Sequence, residues 1–343
     1  MESLHSTRDY AVHEARRRVW DRGFSVKGHI FLSHSSSSQA AVDQNLLTHN
    51  PIALRDYEGR VTQYTYDLMS KFALFAGKPI DASAWFNYYS FDVMGDFAFG
   101  KSFNMLQTGS YHYAITWLDS SMTLLGRFTP IAWAIPVGAI APIIGATFRR
   151  FIRFCNAQLD ERRVAGSKVP DITSWLLKAA LDVNDLEATK WLHGDSRLII
   201  VAGSDTVAIA LTHLFYYLAV NPAQVDKLRK ELEPLMRGDE PFTVRNVQNA
   251  KHLNAVIHET LRMHPPVPSG VFRTTPPQGI TVDGTFIPGG VNIVVPFYTI
   301  GRCEIPLHLF PVYYDEVGGS RLLIANSGRM LRLPQRVHSR AVV

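Results

Sequence analysis

A chain of 343 residues, 46% hydrophobic and 19% charged, can bury a large core, and its composition excludes disordered and fibrous classes. Its net charge of +5 is mild, and outside Arg16-Arg17-Arg18, Arg149-Arg150 and Arg162-Arg163 the basic residues are scattered, so no basic stripe with interleaved aromatics points to nucleic acid. Cys155 and Cys303, the only cysteines, form neither a disulfide framework nor a zinc spacing, and a reducing compartment is expected.

No apolar segment precedes Arg8, so neither a signal peptide nor an anchor is expected. Tyr10–Phe24 has the spacing of a basic helix. Val26–Ile52 then changes character. Ser35-Ser36-Ser37-Ser38, scattered His and Asn, and no sustained period predict a loop or an insertion there. Val61, Tyr64, Leu68, Phe72 and Phe75 restore helical spacing over Arg55–Gly77. A helix over Asp81–Phe99 follows, with Asp81 or Ser83 as its cap. Phe128–Phe148 carries no charge and is long enough to cross a bilayer. Pro130, Pro136 and Pro142 would kink a helix there, so a folded apolar loop is expected. It is either a surface dipping into a membrane interface or buried core.

Phe148–Arg163 and Ile172–Leu181 are predicted helices. Ser196–Val220 is a long, mostly apolar helix ended by Asn221-Pro222. Ala223–Met236 reads as a charged surface helix, and Asn246–His264 as another that stops at Pro265-Pro266. Thr281–Phe286 predicts a hairpin turning on Asp283-Gly284, and Val291–Tyr298 a strand. Helices dominate and strands come late, so the fold class is mainly α with a small β portion.

Three groups of residues carry chemistry. Asp205-Thr206 inside an apolar helix is costly unless paired or functional, and Ala202-Gly203 thins the helix wall beside it. One reading is an acid feeding protons beside an alcohol. The other is a threonine bonded back to a helix carbonyl and an aspartate facing water. Glu259 and Arg262, three apart, share a helix face and can pair, as a structural lock or as an ordinary surface pair. His258-Glu259 begins like a zinc-protease motif, but Arg262 stands where the second histidine belongs; Arg17 does the same after His13-Glu14. His13 and Arg17, four apart, face one way and suit a carboxylate, though a basic face is more often simply solvated.

In chain order, His13-Glu14-Ala15-Arg16-Arg17-Arg18-Val19-Trp20-Asp21-Arg22-Gly23-Phe24-Ser25, Ala202-Gly203-Ser204-Asp205-Thr206, Glu259-Thr260-Leu261-Arg262 with His264-Pro265-Pro266, Val271-Phe272-Arg273 and Ile287-Pro288-Gly289-Gly290 resemble the cytochrome P-450 heme-thiolate monooxygenases, of fungal secondary-metabolism type. The resemblance covers Tyr10–Ser25 and Ala53–Arg302, a partial domain over residues 1–302. It implies a heme whose propionates are held by His13, Arg17 and Arg273. Ala202 and Gly203 would lie against that cofactor. Asp205 and Thr206 would serve oxygen activation, and Glu259–Arg262 would hold the scaffold, completed by an arginine from a later segment. It further implies insertion of one oxygen atom into a small apolar substrate such as a terpenoid or indole compound. Electrons would come from an NADPH-dependent reductase, at the cytosolic face of the endoplasmic reticulum.

The chain departs from the family pattern in three ways. The family's anchor and early β segments are not matched, and without an anchor a cytoplasmic chain is expected. Residues 26–52 separate segments that are almost adjacent in the family and read as translated intron sequence. Residues 303–343 do not resemble the cysteine loop that should follow, so the fold is expected to be an incomplete cytochrome P-450 fold with no metal ligand assigned. Cys303, followed by Glu304-Ile305-Pro306 on the exit from a strand, is not expected to bind iron, and Cys155 is expected to be a partly buried thiol. The alternative function is therefore a catalytically inactive truncated remnant.

Overall fold

A computed structural model describes residues 3–7, 9–24, 53–128, 145–166, 171–180, 185–235 and 243–303. The atypical insert at 26–52, the tail from 304 onward and 129–144 of the uncharged stretch lie outside the described residues. The helices in order are α1 (Tyr10–Gly23), α2 (Ala53–Leu74), α3 (Ala82–Phe99), α4 (Met105–Thr108), α5 (Tyr113–Phe128), α6 (Ala146–Ala165), α7 (Ile172–Ala180), α8 (Asp185–Val220), α9 (Pro222–Leu232), α10 (Val244–Val247), α11 (Lys251–Met263) and α12 (Phe297–Gly301). Among the described residues, four three-residue strands, β1 (Phe272–Thr274), β2 (Ile280–Val282), β3 (Thr285–Ile287) and β4 (Asn292–Val294), form two antiparallel pairs, β1 with β4 and β2 with β3.

The chain divides into two compact units, one of residues 1–78 and 82–205, the other of 79–81 and 206–343. In the first unit Phe91, Phe151, Met105, Leu118, Leu159 and Ile200 are almost fully buried. Aromatic rings join α2 to α3, with Tyr57 and Phe97 centroids 4.9 Å apart and Phe72 meeting Phe86 edge-on at 6.0 Å. Polar anchors set the joints. Asp92 is buried and accepts from the amides of Met105 (3.1 Å) and Leu106 (2.8 Å), capping α4. Arg162 of α6 pairs with buried Asp171 just before α7. Thr173 donates to the Ala98 carbonyl at 2.6 Å, which ties α7 to the end of α3.

In the second unit Asp283 and Gly284 both have positive φ (47° and 74°), and the β2–β3 hairpin closes on them in register Val282 with Thr285. This is the turn that Asp-Gly specifies. Glu231 of α9 accepts from the amides of His252 (2.8 Å) and Leu253 (2.9 Å), so its carboxylate caps α11.

Several sequence expectations need correction. The long helix begins at Asp185, not Ser196, because Trp191, Leu192 and Asp195 are buried by tertiary contacts that its polar sequence there conceals. The helix expected over Asn246–His264 is two, since Ala250 is extended (φ −66°, ψ 110°) and Asn254 caps the break by donating to Gln248 and Ala250 carbonyls. The helix expected over Ala223–Met236 ends at Leu232 in a 3-10 turn containing Pro234. The strand expected over Val291–Tyr298 spans only Asn292–Val294. Pro296 cannot donate to a ladder and instead precedes α12. Helices α4 and α5 had no sequence assignment. Among the described residues, one helical run, Leu186–Val220, is long and apolar enough to cross a membrane.

Candidate functional site

Helix α8 carries the acid–alcohol pair. Asp205 is half-buried. Burial pushes its carboxyl above the usual aspartate range, and the charge of Asp119 on α5 adds to that push. Thr206 is the next residue and is also half-buried. Ala202 is exposed. Gly203 has no Cβ where Met94 of α3 arrives, and a Cβ there would lie 2.9 Å from the Met94 sulfur. The thin helix wall read from the sequence is therefore filled by a thioether. Ser204 is fully buried and its hydroxyl has no hydrogen-bond partner among the described residues.

On α1, His13 is half-buried and Arg17 exposed, with Arg17 only 4.0 Å from Asp21 in a loose surface pair. The two stand on one face. Arg273 sits on β1, exposed, donating to the Phe272 carbonyl at 2.8 Å. It belongs to the second unit, His13 and Arg17 to the first.

Glu259 and Arg262 pair as their spacing predicts. Arg262 Nε donates to Glu259 Oε2 at 2.7 Å and Nη2 to Oε1 at 2.6 Å, a fork-to-fork contact. These bonds hold the guanidinium charge more firmly than usual. A third donor, Nη1, reaches the Gly301 carbonyl. That acceptor is a backbone oxygen, which no side-chain pattern could reveal.

Two further clusters were not legible. Asp195 of α8, fully buried, accepts from Arg16 and Trp20 of α1. Tyr217 and His264 meet at 2.6 Å, and His213 stacks on His264 at 4.0 Å.

The cysteines are also clear. Cys155 is fully buried, not partly, and burial pushes its thiol up to about 12. Cys303 is exposed and follows the short helix α12, not a strand. Among the described residues no group of three or more His, Cys, Asp or Glu could hold a metal ion. The side chains present suit part of a heme site. Cationic groups suit its carboxylates, and a half-buried acid beside an alcohol suits one face. Of the two thiols, Cys155 is sealed and held protonated, which does not suit a thiolate donor to iron.

A family model described as Cytochrome P-450 matches residues 8–304. A cytochrome P-450 monooxygenase of Aspergillus versicolor is 39% identical over 307 residues, covering 89% of this chain and 52% of the relative. Tryprostatin B 6-hydroxylase of Aspergillus fumigatus is 37% identical, covering 89% of this chain and 50% of the relative. The chain thus spans about half the length of the curated relatives it matches. Among solved structures, the cytochrome P-450DA heme domain superposes with a TM-score of 0.59 at 18% identity, over 73% of this chain and 54% of that one. At that identity the likeness concerns the fold.

Proposed function

This chain belongs to the cytochrome P-450 family, and on that premise we propose that it is part of a heme-dependent monooxygenase that inserts one oxygen atom into a small apolar substrate of secondary metabolism. Electrons would come from an NADPH-dependent reductase, at the cytosolic face of the endoplasmic reticulum. The observation that carries the reading is Asp205, a half-buried carboxyl with raised proton affinity immediately before Thr206 on α8. The name of one relative, a tryprostatin B 6-hydroxylase, supports oxygen insertion.

Bound heme supplies the oxidising centre. The chain's own residues do the rest. His13 and Arg17 would hold a cofactor carboxylate through ring and guanidinium N–H donors, and Arg273 would offer the same kind of donor from its own unit. Asp205 keeps its proton to higher pH than an ordinary aspartate, so its carboxyl oxygen can give up a proton and be recharged from water. The Thr206 hydroxyl, one residue on, would be a second group able to hold and pass on a proton. Replacing Thr206 with Ala is expected to leave substrate binding intact while oxygen is consumed without matching product, measured as the ratio of oxygen used to product formed. An unchanged ratio would remove Thr206 from this role.

A second reading is favoured by the cysteines. With Cys155 sealed and held protonated, and Cys303 exposed, this polypeptide would be a non-catalytic remnant that does not bind iron through sulfur. A carbon monoxide difference spectrum of the reduced protein separates the two. A thiolate-type Soret band supports the monooxygenase; its lack in hemin-loaded protein supports the remnant.

A further inference from the structure

Asp195 lies on α8 about three turns before Asp205 and is fully buried. Its Oδ1 accepts from the Leu4 amide at 2.9 Å. Its Oδ2 accepts from Trp20 Nε1 at 3.2 Å and from Arg16 Nη2. Arg16 has a side chain only 16% exposed, and its guanidinium lies 4.8 Å over the Trp191 ring. A charge this deeply buried persists only while paired and hydrogen-bonded.

The geometry of α1 gives these contacts a consequence. Arg16 and Trp20 are four apart and share one face. Both grip a single carboxylate oxygen one turn apart, so α1 cannot roll about its axis without stranding Asp195. His13 and Arg17 are also four apart and occupy a neighbouring face, rotated by about 60°. The direction of that cationic face is thus set by the grip on the other.

We propose that Asp195, through Arg16 and Trp20, is a positioning residue that fixes the rotation of α1 and so aims His13 and Arg17 at the carboxylates of the cofactor. This rests on the heme-site reading above. The two ideas part in a hemin titration of the full chain followed by its Soret absorbance, run as a double-mutant cycle. Asp195→Asn is expected to weaken hemin binding about tenfold, as outer-sphere supports typically do. In a His13→Ala, Arg17→Ala background the same change should cost nothing more, because it acts through those two residues. Melting temperature should fall equally in both backgrounds, which a purely structural role would also give; the missing hemin term is what it would not. Trp20→Phe, which keeps the ring and removes one donor, serves if Asp195→Asn fails to fold, with a smaller loss that also vanishes in the combined background. Additive losses in hemin affinity would overturn the positioning role alone. A wild-type chain that takes up no hemin would overturn the heme-site reading, and the positioning role with it.

Discussion

Two glycines show how a missing Cβ can mean different things. A Cβ on Gly203 would crowd the Sδ and Cε of Met94, the far end of a flexible side chain. A Cβ on Gly301 would overlap the backbone carbonyl of Arg262, which cannot step aside without moving α11. Gly203→Ala should therefore be nearly neutral in stability, since Met94 can change rotamer and alanine favours the helix by about 1 kcal/mol. Gly301→Ala should cost about 1–3 kcal/mol and break the bond from Arg262 Nη1 to the Gly301 carbonyl. Urea unfolding of both variants tests the contrast. Equal losses would mean that α12 does not pack on Arg262 as described.

Between elements, the Tyr217–His264 contact joins α8 to the end of α11 with a titratable group. His264 is pushed down to about 4, first by burial, then by His213 and Arg302. Tyr217 faces it at 2.6 Å and His213 stacks on it from α8, while Arg302 approaches from the end of α12. The neutral ring is what the fold selects. The unfolded histidine takes up its proton near 6.5 and the folded one near 4. Between those values the unfolded chain binds more protons, so stability falls as pH falls, and is fully present only above about 6.5. The melting temperature of wild type should drop more steeply from pH 7 to pH 4.5 than that of His264→Asn, whose amide oxygen can still accept from Tyr217. Parallel curves would show that His264 does not carry this dependence. No sequence pattern predicted this cluster: His213 and Tyr217, four apart, share a face of α8, but His264 reaches them only through the fold. By contrast the Glu259–Arg262 pair and the Asp283–Gly284 turn were legible, since helix spacing and turn chemistry act within a few residues. The strand expected over Val291–Tyr298 failed where local alternation met Pro296, and the start of α8 was hidden because Asp195 is made acceptable by Arg16, a partner 179 residues earlier in the chain.

Burial is unevenly shared through the molecule. In the first unit large side chains such as Phe91, Phe151 and Leu118 are sealed, whereas in the second the buried apolar residues, among those described, are Ala208, Leu228 and Ala250. Helix α8 belongs to both. Before Asp205 it buries Trp191, Leu192, Ile199 and Ile200; beyond Thr206 it exposes Val207, Phe215, Tyr216 and Val220. Amide exchange reports the free energy of local opening, which follows buried apolar contact. Backbone amides of residues 191–201 should therefore exchange at least about a hundredfold more slowly than those of residues 207–220, within one continuous helix. Uniform protection along α8 would mean that the helix opens as one body and that burial does not divide it. A ligand that binds only the folded form adds protection by mass action. If Asp205 and Thr206 border the cofactor, saturating hemin should slow exchange at residues beyond Thr206 and flatten the gradient, while a His13→Ala, Arg17→Ala chain under the same hemin concentration should keep it.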